Sequence, residues 1–279
     1  MYKIKPLVDS ALREDIGRGD ITTESIVAPD AWGTAILWAK DDGVFCGEVI
    51  PQTVFSTLTP TIQVKNLVVD GQSITQGDVI SQIQGPAWAI LMGERVVLNF
   101  IQHLSGISSQ TARLKALIAD YPCHLVETRK TLPGLRLLQK YAVRVGGGGN
   151  HRLGLDDAVM IKDNHIVAAG SITEAVRAVR GKVPFTAKIE VETKQPEQVT
   201  EALAAGADII MLDNMSPPLM KDMVKLIDGR AIVEASGSVN EQNIVDIAAT
   251  GVDVISVGAL THSVCALDIS LDLKISNGH

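Results

Sequence analysis

Residues 127 to 165 read ETRKTLPGLRLLQKYAVRVGGGGNHRLGLDDAVMIKDNH, and the fold is read outward from this stretch. Two short apolar runs frame it, HLVE ending at Glu127 and DAVMI ending at Ile161. Both read as buried strands bounded by turn residues. Between them, Leu135 to Val145 has helical periodicity and the four glycines at 146 to 149 stop the helix, so the unit is β-α-β. The cations Arg129, Lys130, His151, Arg152 and Lys162 then fall at strand ends and in loops. Placed there, they converge on one multiply charged anion, a planar dicarboxylate or a phosphate. Arg136, Lys140 and Arg144 recur every four residues and read as an exposed basic stripe outside that site.

After Pro122 the β-α alternation continues. Strands are expected near 124 to 128, 158 to 162, 187 to 192, 208 to 213, 231 to 235 and 252 to 257, with helices at 135 to 145, 172 to 180, 196 to 205, 217 to 227 and 240 to 249. Ser171 with Glu174 forms a capping box, and Pro196 and Pro217 suit first-turn positions. Continuous apolar strands such as DIIML and VDVISV imply a parallel sheet covered on both faces. Six strands, or seven, make an incomplete, open β/α barrel. In such barrels the reactive groups cluster at the strand C-termini. Here those ends carry Glu127, Lys162, Glu190 with Glu192, Asp213, and Glu234 with Ser236. Glu190 and Glu192 share one face of a strand, and with Asp213 they can hold Mg²⁺ or simply pair with Lys162 or Lys188. The ASGS turn at 235 to 238 and VGALTH at 257 to 262 place Ser236, Gly237 and Gly258, with His262 nearby, where barrels bind phosphate.

Upstream, Pro6 to Glu14 reads as an amphipathic helix, IGRGDITT as a turn, Thr34 to Ala39 as a strand, GVFCGE as a turn and Glu48 to Leu58 as a helix. Short β segments surround Asp70-Gly71 and Gly77-Asp78. This is a smaller N-terminal α/β sandwich domain. The DGQSITQGDVI pattern also fits a lipoyl or biotinyl carrier, but the lysine such a hairpin needs is missing, since Lys40 lies in another turn. From Ala87 to about His103 a broad apolar helical face forms, broken at Ser105-Gly106 and resumed from Ile107 to Ala119. It bridges a first domain at 1–105 and a barrel at 106–279, whose last residues can return to the first domain. Glu94 and Arg95 on this helix read as an exposed charge pair.

At 279 residues and 46% hydrophobic the chain buries a sizeable core. A net charge of −7 and a pI near 5.4 exclude a general nucleic-acid or acidic-membrane binder. The first residues carry charge early, with no apolar signal region, and no apolar run spans a bilayer, so a cytoplasmic protein is expected. Cys46, Cys123 and Cys265 have neither disulfide nor zinc spacing. His103, His124 and His279 read as structural or incidental, and His165 as orienting its turn.

The pieces TRKT-PGLR, KYAV, GGG-NHR-GL-DAV and IKDNH resemble, in order and spacing, the signature region of the quinolinate phosphoribosyltransferase family of NAD synthesis. The resemblance extends to ALREDIGRGDITT at 11 to 23, GERVVLNFIQHLSGIS at 93 to 108, and LDNM, EASGSV and VGALTHS downstream. VETKQPEQV at 191 to 199 departs from the family's usual acidic run. The resemblance implies that quinolinate and phosphoribosyl pyrophosphate, with Mg²⁺, give nicotinate mononucleotide, pyrophosphate and CO₂. It implies a dicarboxylate held by Arg129, His151, Arg152 and Lys162, with Arg95 entering from the second subunit of a homodimer or higher homo-oligomer. Lys130 lies between quinolinate and pyrophosphate, while Glu192 and Asp213 organise ribose and, through water, Mg²⁺. Ser236, Gly237, Gly258 and His262 take the 5′-phosphate. A transferase acting on nicotinate or another monocarboxylate is the alternative, and it would need fewer cations.

Overall fold

The computed structural model describes residues 4–276, so the expectation for His279 lies outside the described residues. The chain forms two compact units, Met1–Gln110 with Val264–His279, and Thr111–Ser263. The division therefore falls at Gln110, where the sequence placed it at 105, and the C-terminal segment belongs to the first unit.

The first unit opens with α1 (Lys5–Ile16) and α2 (Ile21–Ile26). The second of these was read as turn; Asp20 caps it, its side chain accepting from Thr23 N at 3.0 Å. There follow β1 (Trp32–Ala39), β2 (Gly43–Val44), α3 (Val49–Leu58), β3 (Gln63–Asn66), β4 (Ser73–Ile74), β5 (Val79–Pro86) and the start of α4 (Ala87–Leu117). β1 alternates buried and part-exposed residues, as a strand with one covered face must. It lies between β5 and the C-terminal strand in an antiparallel sheet, and Val8, Leu12, Ile50, Val54 and Phe55 are buried on the unit's helices.

α4 runs unbroken through Ser105-Gly106. Both residues are there for packing. Ser105 Oγ accepts from Cys46 N at 3.0 Å, Ser109 Oγ from Val44 N at 2.8 Å, and Ser108 Oγ donates to Val44 O at 2.6 Å. These hydroxyls meet backbone groups that the short β2 leaves unpaired. A Cβ on Gly106 would collide with the Cys265 carbonyl.

The second unit holds β6 (His124–Val126), α5 (Arg136–Val145), β7 (Val159–Ile161), α6 (Asp163–Ala169), α7 (Ile172–Arg180), β8 (Ile189–Thr193), α8 (Pro196–Ala204), β9 (Ile209–Asp213), α9 (Pro217–Ile227), β10 (Ile232–Ser236), α10 (Ile244–Ala248), β11 (Val254–Ser256) and α11 (Ala259–His262). The chain then returns as β12 (Ile269–Ser276), which pairs with β1 along its whole length. Every strand expected after Pro122 is present. Among the described residues they form one six-stranded parallel sheet in the order β6-β11-β10-β9-β8-β7, and β6 and β7 do not pair, so the barrel is open. The glycine run covers the free edge of β6: Gly149 N donates to Leu125 O at 2.7 Å, a position where a side chain would press on Val126.

Two further readings change. The IKDNH turn begins a helix, α6, because His165 Nδ1 accepts from Lys162 N at 3.0 Å and so caps its first turn. Lys140, assigned to an exposed stripe, is 1% exposed. Gly106→Ala should destabilise the first unit by about 1–3 kcal/mol, the usual cost of forcing atoms into a packed site. Thermal unfolding followed by circular dichroism would register this as a lower midpoint, and an unchanged midpoint would contradict the close approach to Cys265.

Candidate active site

The parallel register decides which side chains share the barrel interior. Met160 lies beside Glu190, Glu192 and Glu234 beside Met211, and Ser236 beside both Asp213 and Ser256. Side chains alternate along a strand, so these positions point to one side and their alternates, such as Val191 and Leu212, face the helices. The inward residues at the strand C-termini line a cavity of about 320 Å³ with the loop that follows β6, the loop between α5 and β7, and Lys162 just after β7.

Eight of the expected site residues line this cavity: Arg129, Lys130, His151, Arg152, Lys162, Glu192, Asp213 and Ser236. All belong to the second unit. Gly237, Gly258 and His262 are not in its wall. A Cβ on Gly258 would nevertheless stand 3.0 Å from Lys130 Cδ and 3.0 Å from His262 Nε2, so these three are neighbours. Gly237 has φ of 100° and leaves no room for a side chain against Asn214, whose N donates to Ser236 O at 2.9 Å; the turns after β9 and β10 interlock. Arg95 lies on α4 in the first unit.

The charges are sorted. Arg129 Nε is buried without a hydrogen-bond partner. Arg152 sits close to it, and burial together with the Arg129 charge holds its guanidinium below its ordinary pKa. Two guanidinia placed this close are relieved by a dianion. Lys162, also in the lining, forms an ion pair with Glu192, so of the two open readings of that carboxylate the pairing is present. Asp213 ends the neighbouring strand.

His151 also belongs to a cluster, partly in the cavity wall, whose assembly the sequence does not reveal. His151 Nε2 stands 3.4 Å from Glu190 Oε2 and 3.3 Å from Glu234 Oε2, and both glutamates are nearly fully buried. Burial lowers the His151 pKa, but the two carboxylates outweigh it and raise it to about 9, and burial raises that of Glu190; the cation gives up the Arg152 N–H, which Nδ1 accepts only in the neutral ring. The three groups could enclose a metal ion. The ring's other nitrogen argues against one, because Nδ1 accepts from Arg152 N at 2.7 Å, which keeps the neutral ring's hydrogen on Nε2. A metal-bound imidazole does the reverse and donates from its second nitrogen. The one available signal was the spacing of two on β8 and β10, Glu190 to Glu192 and Glu234 to Ser236, which places the glutamates one pleat deeper than the strand ends.

Family models match nearly the whole chain: quinolinate phosphoribosyl transferase, N-terminal domain, over residues 20–105, and C-terminal domain over 107–272. The chain belongs to the quinolinate phosphoribosyl transferase family. A Bacillus subtilis relative described as a probable nicotinate-nucleotide pyrophosphorylase [carboxylating] is 46% identical over 275 residues, covering 99% of this chain and 95% of the relative. A Nicotiana glauca quinolinate phosphoribosyltransferase [decarboxylating], described as mitochondrial, is 42% identical over 98% of this chain and 82% of its own length. The crystal structure of NadC from Streptococcus pyogenes superposes with a TM-score of 0.95 at 41% identity, over 99% of this chain and 98% of that one. Human nicotinic acid phosphoribosyltransferase, at 12% identity and a TM-score of 0.63, shares the fold alone.

The His151 cluster predicts a pH dependence. Its folded pKa of about 9 lies above the ordinary 6.5, so the stability it contributes is full below about pH 6.5 and is lost as pH rises through 9. Urea unfolding from pH 6.5 to 9.5 should show a fall for the parent chain that His151→Gln flattens. Parallel curves would remove the charge from His151.

Proposed function

We propose that this chain is the carboxylating nicotinate-nucleotide pyrophosphorylase: it transfers phosphoribosyl from phosphoribosyl pyrophosphate to quinolinate, giving nicotinate mononucleotide, pyrophosphate and CO₂ in NAD synthesis. The observation that carries this reading is the pairing of Arg129 with Arg152 in one cavity that Glu192 and Asp213 also line. Two adjacent guanidinia suit the 2,3-dicarboxylate of quinolinate, whereas a monocarboxylate such as nicotinate would leave one of them unneutralised.

Arg129, Arg152 and Lys162 hold the dicarboxylate, with His151 in the floor of the same subsite. The pyridine nitrogen attacks the anomeric carbon, the C–O bond to pyrophosphate breaks, and the bond's electron pair leaves with that group. Lys130, on the wall next to Gly258, stands between the two anions and offsets charge on the departing pyrophosphate. The ring nitrogen is now cationic. When the 2-carboxylate leaves as CO₂, its electron pair remains on the adjacent carbon, stabilised by that nitrogen and by the guanidinia, and a proton replaces it. Binding both reactants in line accounts for most of the rate, since the protein forms no covalent bond to either.

Glu192 and Asp213 fit Mg²⁺ by donor type, being carboxylates on adjacent strands, and Mg²⁺ takes few protein ligands and retains its waters. When bound it neutralises pyrophosphate charge; Lys162 competes for Glu192. The same carboxylates receive the ribose hydroxyls. Ser236, Gly237, Gly258 and His262 are assigned to the 5′-phosphate, consistent with the crowding of Gly258, His262 and Lys130. Arg95 is assigned to the site of a second subunit, which makes a homodimer or larger homo-oligomer the active form. A cytoplasmic location is proposed from three unpaired cysteines, and among the described residues no helix is long and apolar enough to cross a membrane.

Purified protein given quinolinate, phosphoribosyl pyrophosphate and Mg²⁺ should release CO₂ and nicotinate mononucleotide in equal amounts. Activity on nicotinate without CO₂ would establish the monocarboxylate enzyme instead. Lys130→Ala should lower kcat about 10²–10³-fold with the fold intact, the range for removing one electrostatic stabiliser; an unchanged kcat removes Lys130 from the chemistry. Mixing inactive Arg95→Ala with inactive Arg129→Ala protein should restore activity through hybrids, and verified exchange without recovery would contradict a shared site.

A further inference from the structure

Arg152 stands in a loop between Gly149 and Ala158 that has little regular structure of its own, yet its guanidinium must be placed to within a fraction of an ångström to meet a carboxylate twice. What places it is a buried charge pair outside the cavity wall. Glu127 is 0% exposed and Lys140 1%, and they form an ion pair with one another. The pair grips the residue before Arg152 by its backbone: His151 N donates to Glu127 Oε1 at 3.1 Å, and Lys140 Nζ donates to His151 O at 2.9 Å. Asn150 closes the ring, its Nδ2 donating to Glu127 Oε2 and to Lys140 O, both at 2.9 Å. From the other side His151 Nε2 faces Glu190 and Glu234, and Nδ1 accepts from Arg152 N. The backbone N–H and C=O of His151 and its Nδ1 are thus hydrogen-bonded within the second unit, Nε2 faces the two carboxylates without a hydrogen bond, and Arg152 starts from a fixed point. Its own Nη1 is tied to Ala158 O at 2.9 Å, so one side of the guanidinium is already spoken for.

We propose that Glu127 and Lys140 are positioning residues for substrate, acting through His151 on the Arg152 guanidinium. The inference rests on the reading of the cavity as a quinolinate site. A buried ion pair is weak support for stability, since an apolar pair of similar volume is often as stable. An apolar pair cannot do what this one does at His151, where an acceptor faces the N–H and a donor faces the C=O. Neither side chain lines the cavity, so any effect on quinolinate must travel through the loop.

The test compares the parent chain with Glu127→Leu/Lys140→Met and with Asn150→Ala, an exposed-rim change that removes two hydrogen bonds and no charge. Both should raise KM for quinolinate, the double variant by roughly tenfold or more, about 1.4 kcal/mol. KM for phosphoribosyl pyrophosphate should change by less than about threefold, and Asn150→Ala, though its melting temperature falls with the lost hydrogen bond to buried Glu127, should remain folded at the assay temperature by circular dichroism. Direct quinolinate binding by calorimetry supplies the coupling: in an Arg152→Ala background, Asn150→Ala should cost no further affinity, because its effect passes through the missing side chain. Unchanged quinolinate KM in a folded Asn150→Ala, or losses that simply add to that of Arg152→Ala, would make the pair structural only and overturn the proposal. If the double variant does not fold, Asn150→Ala alone decides. Failure of the parent chain to turn over quinolinate at all would instead refute the underlying reading, and this inference with it.

Discussion

Glu127 carries a carboxylate at 0% exposure immediately after β6, the first strand of the parallel sheet, and its charge is met by Lys140 from α5. Removing either partner would leave a bare charge in the interior, at a cost of about 3–5 kcal/mol. Strand, helix and glycine loop are therefore bound into one β-α-β unit, and that unit controls the loop that follows. Because Glu127 also receives the N–H of His151, the loop's two cations are referenced to the sheet and not to solvent. Arg129 and Lys130 leave the same strand end directly. The two cations of the loop thus depend on one buried contact.

The sheet supplies the opposite charge. Period-two alternation puts Glu190 one pleat below Glu192 on β8 and Glu234 one pleat below Ser236 on β10, so each of these strands offers an inner and an outer side chain. The inner ones hold His151. The outer ones are left for ligand, with Lys162 pairing with Glu192. Such a layout suits a reaction between two polyanions. One is gripped by guanidinia on loops, the other is organised by carboxylates and hydroxyl groups on strands, and a lysine lies between them. No protein group has to become a nucleophile.

Much of this was legible in the residues. Strands buried on both faces announce themselves as apolar runs, so all six were located, and charge at the ends of five of them pointed to one site. The misreadings have specific physical origins. Lys140 shares a helix face with Arg136 and Arg144, and i, i+4 spacing cannot tell a solvated stripe from one member turned toward a buried carboxylate. Ser105-Gly106 looked like a break because local propensity disfavours both in a helix, whereas long-range contacts to Cys46 and Cys265 select them. The His151 cluster joins β8, β10 and a loop, a meeting that only the sheet register creates. β12 was missed for a similar reason: its partner β1 lies more than two hundred residues earlier.

The most direct test of the account is a crystal structure of the protein with quinolinate bound. Both carboxylates should lie within hydrogen-bond distance of Arg129 and Arg152, with the ring nitrogen turned toward Lys130, Glu192 and Asp213 and the His151 contacts to Glu127, Lys140 and Arg152 intact. Quinolinate seated away from Arg152 and Lys162, or a loop that releases His151 from Glu127 to reach the ligand, would contradict it.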